Sequence, residues 1–250
     1  MHSVIYKRTI FYVCLIFSVL TCTSYHSYGY RNDGRARGNG NIIRVKRDNL
    51  NGFSRINVSM TINVKVRQGD HYEVIVETDQ NLQDHIGTKV EGDELRVFVA
   101  RSFKRCSKMV VYVTLPKLEG AKAASCGSIS GEGVFKVDTF YAEASSAGEV
   151  SLKLNTRRVD SRVSSGGDVK LSGNTGELYV ASSSGGDFHG VSLQAIVAKV
   201  RASSGGNIKV NVNKAFIGRA SSGGDVYYYG NPSNVDVQTS SGGDITKRSL

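Results

Sequence analysis

The feature that most constrains this chain is a five-residue motif that returns at a nearly constant interval through its second half. Each copy has two serines, two small residues and then an acidic residue or its amide. Six copies begin at Ser145, Ser164, Ser183, Ser203, Ser221 and Ser240. Their acidic or amide positions are 19, 19, 20, 18 and 19 residues apart, and a weaker copy begins at Ser125. A period of about 20 residues with strand-forming composition predicts a solenoid in which each repeat makes one coil.

The residues between the motifs indicate how each coil buries a core. Nine positions before the acidic residue stand Phe140, Val159, Leu178, Ala198, Phe216 and Val235. One position after it stand Val150, Val169, Phe188, Ile208, Val226 and Ile245. Apolar residues at alternate positions predict strands with one buried face, and the variable polar residues between them belong on the solvent side. We therefore predict an all-β fold, a single elongated β-solenoid whose core consists of aliphatic ladders.

The glycine pair in the motif predicts a tight turn at every coil corner, because glycine adopts positive φ without steric cost. The glycines concerned are Gly166, Gly167, Gly185, Gly186, Gly205, Gly206, Gly223, Gly224, Gly242 and Gly243. We expect the acidic residue to accept hydrogen bonds from the turn backbone, and the serine hydroxyls to form ladders between coils about 4.8 Å apart. A structural role of this kind explains the motif without any chemistry.

Residues 41–120 alternate in the same way but lack the motif. Apolar residues alternate over 53–66, 72–76, 95–99 and 110–114, and only 81–86 interrupts the pattern, as a single helical turn would. We predict that residues 41–120 form the first, less regular coils or a cap, and that 121–250 form the regular coils. No long amphipathic helix follows the N-terminal segment in the sequence, which argues against an α/β cofactor fold.

The N-terminal segment has the pattern of a secretory signal. Lys7 and Arg8 precede an apolar stretch too short to span a bilayer, and small polar residues follow as far as Gly29. We predict a signal peptide over residues 1–29 and a flexible glycine-rich linker over 30–40. Lipid attachment at Cys22 is the alternative, although Thr21 is bulkier than the residue that usually precedes a lipidated cysteine. Either way we expect export to the periplasm, outer membrane or cell surface.

Two cysteines, Cys106 and Cys126, lie beyond this segment. An oxidising compartment permits a disulfide between them, and two free thiols are the equal alternative, because no spacing argument brings their Cα atoms within bridging distance. Neither cysteine belongs to a CxxC pair or lies near a histidine in the sequence, so a zinc site is not expected.

The acidic positions of the motif are candidate metal ligands. Carboxylates stacked one coil apart resemble the oxygen-rich sites that Ca²⁺ prefers, and they belong to Asp168, Asp187, Asp225 and Asp244. Asn207 interrupts the column, and the period is about twice that of the nonapeptide calcium repeat. Stacked carboxylates are also candidates for acid–base cleavage of a polysaccharide, but each coil resembles the next. We therefore expect no enzymatic activity and no cofactor, with calcium as the alternative.

An aromatic and basic cluster is the candidate ligand-binding site. Three consecutive tyrosines, Tyr227, Tyr228 and Tyr229, cannot all face the core of a strand, and stacking places Lys209 beside them. Carbohydrate stacking and capping of the last coil are the alternative roles of this cluster.

Charge and motif content narrow the partners. The formal net charge is +10, and removing Lys7 and Arg8 with the signal leaves +8, a mild excess that does not indicate nucleic-acid binding. Neither a GxxxxGK[ST] phosphate loop nor a GxSxG elbow occurs in the sequence. A membrane contact is expected only through a lipid anchor.

At the last coil, we expect either capping by Lys247 and Arg248 or end-to-end assembly into an oligomer, because a solenoid that ends there exposes a sheet edge.

With these residues in view, the chain resembles the putative auto-transporter adhesin, head GIN domain family of exported Bacteroidetes proteins. The resemblance spans roughly residues 45–245 and is carried by FSRINVSMTINVKVRQGDHYEVIVETDQNL, GDELRVFV, MVVYVTLPKLEGAKAASCGSISG and the serial SSGGD turns. It implies a right-handed β-helix with the shape of pectin lyase-like proteins but without their catalytic residues, and a role in adhesion at the cell envelope. Ala147 and Asn207 depart from the repeated pattern.

These observations predict a non-enzymatic envelope or surface protein that binds glycan or protein through an extended surface. Repeated coils suit this role because weak contacts at fixed spacing add by multivalency. The alternatives are a carbohydrate-active enzyme on the same scaffold and a purely structural envelope component.

Overall fold

The computed structural model describes residues 35–249, and nearly all of its elements are strands. One 3-10 helix, Gln80–His85, lies where the sequence alternation stops. All strands except β1 and β8 belong to one 16-stranded sheet. In chain order the strands are β1 (Ala36–Arg37), β2 (Ile42–Lys46), β3 (Arg55–Ser59), β4 (Asn63–Gln68), β5 (Glu73–Asp79), β6 (Ile86–Glu91), β7 (Glu94–Val99), β8 (Phe103–Arg105), β9 (Met109–Leu115), β10 (Gly120–Ala124), β11 (Ser128–Ser145), β12 (Glu149–Val163), β13 (Asp168–Ser182), β14 (Asp187–Ala202), β15 (Asn207–Ala220), β16 (Asp225–Tyr229), β17 (Asn234–Thr239) and β18 (Asp244–Lys247).

The regular coils stack in parallel, with equivalent residues of successive repeats paired. Val150 pairs with Val169, and Val169 pairs with Phe188. We call the part of each coil that follows a serine-glycine turn its leading segment, and the part that precedes the next turn its trailing segment. In β12 the leading segment is 149–156 and the trailing segment is 158–163.

Alternate residues of both segments point into the coil. Val150 and Leu154 on the leading segment and Val159 on the trailing segment are fully buried. Their copies stack into columns at about 4.8 Å spacing, as in the column Phe140, Val159, Leu178, Ala198 and Phe216. The predicted solenoid is confirmed, with about seven turns of about 19 residues each.

The two glycines of each motif have different roles. In the turn at 164–167, Ser165 and Gly166 both have positive φ, at 51° and 69°, and the Gly167 N–H donates to the Ser164 carbonyl at 2.9 Å. This pattern is that of a type I′ turn. Gly167 itself does not have positive φ. Instead, a Cβ there would lie 2.5 Å from the carbonyl carbon of Ala144 in the preceding coil. The first glycine therefore satisfies the turn conformation, and the second allows two coils to approach.

The turns are joined along the axis by backbone hydrogen bonds. The Gly166 N–H donates to the Ser184 carbonyl at 3.3 Å, and Gly185 repeats the contact with Ser204 one coil later. The expected ladder of serine hydroxyls is absent from these turns in the described part of the chain. The backbone already provides a donor and an acceptor at each step, so the hydroxyls remain available to water.

The trailing segment begins at a second corner where two consecutive residues face outward. Arg157 and Arg158 occupy these positions in one coil. Just before them, the Thr156 hydroxyl donates to the Arg158 carbonyl at 2.8 Å, and Thr175 makes the same contact with Glu177 at 3.0 Å. The threonine therefore closes the corner. Before it the even-numbered residues of β12 face the core, and after it the odd-numbered residues do.

Residues 41–120 contain both irregular coils and a cap. Strands β3 and β4 form a coil around the corner Met60-Thr61, whose φ values of 66° and 57° repeat the turn conformation without glycine. Parallel stacking continues outward to β7 and β9. Beyond them β6 pairs antiparallel with β7, while β5 and then β2 add antiparallel to β9. The antiparallel strands reverse the chain direction and end the parallel stack on this side.

Residues 36–40, which composition assigns to a flexible linker, are held against the cap. Strand β1 pairs with β8, and the Gly40 N–H donates to the Asp79 carboxylate at 2.7 Å. A Cβ on Gly38 would lie 2.4 Å from the same carboxylate. The linker glycines therefore include one that is required for close contact with Asp79. The predicted signal peptide, Cys22 and residues 30–34 of the linker lie outside the described residues.

Strand β17 forms an exposed edge at the other end of the solenoid. It pairs with β15, and all six of its residues are exposed. Val235 and Val237 occupy inward-facing columns yet are 47% and 45% exposed, whereas Phe216 in the Val235 column is 1% exposed. Lys247 donates to Asn231 at 2.9 Å and Arg248 lies over the Tyr227 ring, so both predicted capping residues contact neighbouring parts of this coil.

Candidate functional site

The outer surface of the trailing segments carries two columns of polar and aromatic residues. The first column contains Tyr141, Asp160, Tyr179, Lys199, Ile217 and Asp236, one from each successive coil. The second lies two residues further along each strand and contains Glu143, Arg162, Ala181, Arg201, Arg219 and Gln238. Parallel in-register pairing fixes these residues at one-coil intervals, so the columns run along the solenoid axis.

A shallow groove of about 500 Å³ lies over these columns from Tyr141 to Arg219. Ala181 forms a low point in the second column, between Arg162 on one neighbouring coil and Arg201 on the other. Four cationic side chains and one carboxylate line the groove, namely Arg162, Lys199, Arg201, Arg219 and Asp160. The cationic excess predicts a positive potential over the groove.

Tyr179 orients two of the neighbouring cations. The Arg158 guanidinium lies 4.2 Å from the centroid of its ring, and the Lys199 amine lies 5.5 Å from it. The Tyr179 hydroxyl donates to Glu177 at 3.1 Å, which fixes the orientation of the ring. Cation–π attraction therefore positions Lys199 at the groove and restricts its rotamers.

Tyr141 closes one end of the groove as a hydrogen-bond donor. Its hydroxyl donates to the Glu143 carboxylate at 2.7 Å. Burial, together with this hydrogen bond, raises the pKa of Tyr141 to about 12. The phenol is therefore neutral at physiological pH and donates to Glu143, which neighbours Arg162 in the second column.

Arg162 and Arg201 are the two arginines of the groove without an ion pair. Both are exposed, and neither forms an ion pair or side-chain hydrogen bond with any residue in the described range 35–249. In contrast, Arg158 forms a bidentate pair with Asp160 at 2.8 and 3.0 Å, and Arg219 pairs with Asp236 at 2.8 Å. The free guanidinium donors of Arg162 and Arg201 are suited to a carboxylate, sulfate or phosphate of a ligand.

The groove continues toward the serine-glycine turns. A second opening, shared through Arg201 and Arg219, extends past Gln238 to Ser221 and Ser240. Serine and glutamine side chains can hydrogen-bond neutral hydroxyl groups. Together, the cations and the hydroxyl-bearing turns form a surface suited to a polar, anionic ligand that lies along several coils.

The structure places the predicted acidic column in register. Asp168 pairs with Asp187 in the adjacent coil, and Asp225 pairs with Asp244. However, the Lys170 amine lies 3.0 Å from the Asp168 carboxylate and 3.3 Å from that of Glu149. The hydrogen bond from Lys170 to Asp168 raises the pKa of Lys170, which keeps this amine charged.

No group of three or more His, Cys, Asp or Glu side chains among residues 35–249 is arranged to hold a metal ion. Calcium binding by the acidic column stays a prediction, and the charged amine of Lys170 within the column disfavours it. The Asp244 carboxylate accepts a hydrogen bond from Thr246 at 2.6 Å instead.

The tyrosine cluster is divided between the core and the surface. Lys209 pairs with Tyr227, as the stacking argument predicts. Tyr228 turns toward the core and stacks on Phe216 with ring centroids 4.4 Å apart. Tyr227 lies beneath the Arg248 guanidinium at 5.2 Å. This arrangement gives Tyr228 and Tyr227 contacts within the last coils, and glycan stacking on the cluster stays a prediction.

Cys106 and Cys126 are free thiols, so the disulfide alternative is wrong in this structure. Cys126 occupies an exposed turn corner, where its N–H donates to the Ser146 carbonyl at 3.1 Å. Cys106 is half-buried beside Asp79, and burial followed by the nearby carboxylate raises the pKa of its thiol. The two cysteines are held by different parts of the molecule, the turn column and the cap.

The sequence pattern places the variable polar residues between the core positions on the solvent side, but it was not read as indicating a site there. The signal was present, because Tyr141, Tyr179 and Lys199 all stand eight positions before the acidic residue, and Arg162 and Arg201 stand six positions before it. Aligning the outward positions by the turn, as was done for the inward positions, aligns both columns of the groove.

In the described part of the chain, no helix is long and apolar enough to cross a membrane.

A comparison with curated proteins finds no match. Among solved structures, a putative adhesin from Bacteroides fragilis has a TM-score of 0.77 and 19% identity, covering 86% of this chain and 100% of that one. A putative lipid binding protein from Parabacteroides distasonis has a TM-score of 0.65 and 19% identity, covering 86% and 99%. A putative adhesin from Parabacteroides merdae has a TM-score of 0.60 and 16% identity, covering 85% and 98%.

These likenesses are below 25% identity, so they establish a shared fold. The family model described as "Putative auto-transporter adhesin, head GIN domain" matches residues 52–232, which contain the cap apart from β2, the irregular coils and most of the regular coils. This match confirms the resemblance noted in the sequence, and the chain belongs to the putative auto-transporter adhesin, head GIN domain family.

Proposed function

We propose that this protein is a non-enzymatic adhesin of the cell envelope that binds a glycan along its outer trailing surface. The observation that supports the proposal is the groove from Tyr141 to Arg219, where unpaired guanidinium groups repeat along the axis. Membership of an adhesin-type family agrees with a surface or envelope location. We also propose that the signal peptide is removed and that the protein resides in the outer membrane or at the cell surface.

The shape of the groove favours a glycan over a buried small molecule. The interior of the regular coils is filled by Phe140, Phe188 and Phe216, each at most 1% exposed. The groove is open along the axis, so a polymer can contact several coils. Each contact is weak on its own, and repetition at fixed spacing raises the avidity.

A glycan array tests the proposal directly. The purified protein is applied to neutral and acidic glycans of host and bacterial origin, with and without EDTA, and each bound spot is examined for cleavage. We expect retention without cleavage, unchanged by EDTA. Degraded oligosaccharide would show an enzyme, and loss of retention in EDTA would implicate calcium at the acidic column. No retention on any glycan would overturn the glycan-binding proposal in favour of a protein partner or a structural role.

A further inference from the structure

The spacing and charge of the groove residues indicate which class of ligand would bind there. We infer that it binds an anionic linear polysaccharide, with carboxylate or sulfate groups on Arg162 and Arg201 and the polymer running parallel to the solenoid axis. This inference rests on the proposed function, because it specifies the glycan and its orientation on the same surface.

The spacing of the free cations supports an extended polymer. Arg162 and Arg201 occupy one column with Ala181 between them, so they are two coils apart, or about 9.6 Å along the axis. A linear polysaccharide repeats its charged groups at disaccharide intervals of comparable length. The small Ala181 side chain leaves room for a sugar ring between the two guanidinium groups.

The charges around the groove favour an anion over a neutral sugar. The carboxylates of the first column are already paired, Asp160 with Arg158 and Asp236 with Arg219. In the second column, Glu143 accepts a hydrogen bond from the Tyr141 hydroxyl. Tyr179 holds the Lys199 amine at the first column, close to the two free arginines of the second column. A ligand carboxylate or sulfate would therefore meet several donors, and Glu143 is the one carboxylate of the second column.

The lining argues against a lipid acyl chain as the occupant. The groove is shallow, and the apolar groups along it come from isolated residues such as Ile217 and Ala181. An acyl chain needs a continuous apolar cavity, whereas the columns behind this surface are already filled by Leu178 and Phe216. A headgroup phosphate alone shares the anion chemistry, so the experiment includes anionic vesicles.

The test compares two double variants that remove the same charge, one inside the groove and one outside it. R162Q/R201Q removes the free arginines of the groove. K65Q/K153Q removes two exposed lysines, Lys65 on β4 and Lys153 on the leading segment of β12. Neither lysine forms an ion pair within the described residues, which makes this pair a matched control. All four side chains point outward, and circular dichroism with a thermal melt checks that each variant folds.

Binding is measured to polygalacturonate, chondroitin sulfate and dextran, and to vesicles containing an anionic phospholipid, at about 50 and about 500 mM NaCl. We expect binding of the intact protein to the two anionic polymers only, weakened by salt. R162Q/R201Q should lose about tenfold in affinity, and K65Q/K153Q less than about twofold. Equal losses in the two variants would reduce the effect to net charge and overturn the inference.

Two further outcomes would overturn the inference and are distinguishable from failure of the proposed function. Retention of neutral glycans that R162Q/R201Q does not weaken would keep the adhesin proposal and reject the anionic ligand. Arginine-dependent binding to anionic vesicles without binding to either polymer would assign the groove to a lipid headgroup. If no glycan on the array and no polymer is retained, both the inference and the glycan-binding proposal fail.

Discussion

At the residue scale, the serine-glycine turn separates two steric requirements that look identical in the sequence. Gly185 has φ of +71° with open space around its missing Cβ, whereas a Cβ on Gly186 would lie 2.7 Å from the carbonyl carbon of Val163. We expect Gly185→Ala to cost about 1 kcal/mol, since it imposes only a left-handed backbone on alanine. Gly186→Ala should cost about 3 kcal/mol, because the new Cβ would force the backbones of two neighbouring coils apart. Urea denaturation of the two variants measures the difference.

Position 147 provides the matched reverse substitution. Ala147 already occupies the first-glycine position of its turn, with φ of 59°. Ala147→Gly should therefore stabilise the protein by about 1 kcal/mol, offset in part by the greater freedom of glycine in the unfolded chain. Equal losses for Gly185→Ala and Gly186→Ala would contradict the assignment of separate roles.

A buried hydroxyl on the trailing segment of β12 lacks a hydrogen-bond partner. Ser161 is 3% exposed, and its Oγ has no hydrogen-bond partner. Its neighbours in the inward column are Ala142 and Val180. Ser161→Ala removes an unsatisfied polar group, so we expect a gain of about 1 kcal/mol and a rise in Tm of about 2–4 °C.

Thr156 in the same coil provides the control, because its substitution should lower the stability that Ser161→Ala raises. Its buried hydroxyl donates to the Arg158 carbonyl, so Thr156→Val keeps the shape and removes that hydrogen bond. We expect a loss of about 1 kcal/mol. A loss of stability in both variants, measured by calorimetry, would mean that Ser161 has a partner such as an ordered water.

At the scale of elements, the cap depends on one carboxylate that ties three antiparallel strands together. Glu77 on β5 accepts hydrogen bonds from Lys108 and Tyr112, each at 2.8 Å, and from Arg44 on β2 at 3.1 Å. The hydrogen bond from Lys108 is the largest influence, and with Tyr112 and Arg44 it outweighs burial and lowers the pKa of Glu77 from 4.5 to about 2. The Glu77 side chain is 10% exposed, so solvent screens these contacts only in part.

This depressed pKa gives a pH dependence with a definite sign. The folded state binds the proton of Glu77 less tightly than the unfolded state, so its contribution is complete above about pH 4.5 and is lost as pH falls toward 2. We expect Glu77 to account for about 2 kcal/mol over this window, allowing for the exposed partners. Urea denaturation between pH 2 and 6 should show this loss in the intact protein and a smaller one in Glu77→Gln.

Glu91 provides the matched control for the cap experiment. Its pKa is also lowered to about 2, by hydrogen bonds first from Lys89 and then from Arg96, but its side chain is 47% exposed. Glu91→Gln should therefore change the pH dependence less than Glu77→Gln. The opposite order would show that burial at Glu77 does not determine the strength of its contacts.

The cap is also where the sequence is least informative. Strands β2, β5 and β6 have the same period-two alternation as the coil strands, and alternation does not distinguish parallel from antiparallel partners. The reversal of β5 against β9 depends on pairing between residues over 30 positions apart, such as Val76 with Val111. The helical turn near residue 81 was predictable because there the alternation itself stops.

At the scale of the whole molecule, repetition explains why the coils were predictable and the groove was not. The inward columns, such as Val159 and Leu178, share apolar chemistry and are recognisable when the copies are aligned. The outward columns vary, because each coil presents a different residue, as Asp160, Tyr179 and Lys199 do. A binding surface built this way becomes recognisable in the sequence only after the outward positions of all repeats are aligned by their turns.

The same repetition makes the stability of each coil depend on its neighbours. Strand β17 contacts the stack through β15, and Val235 and Val237 are nearly half exposed. We expect its amides to exchange with deuterium much faster than those of β13 and β14, which are paired on both sides. Hydrogen exchange followed by mass spectrometry, run at two protein concentrations, measures this gradient. Protection of β17 that equals β13 and decreases on dilution would contradict an exposed edge and show that a second copy covers it.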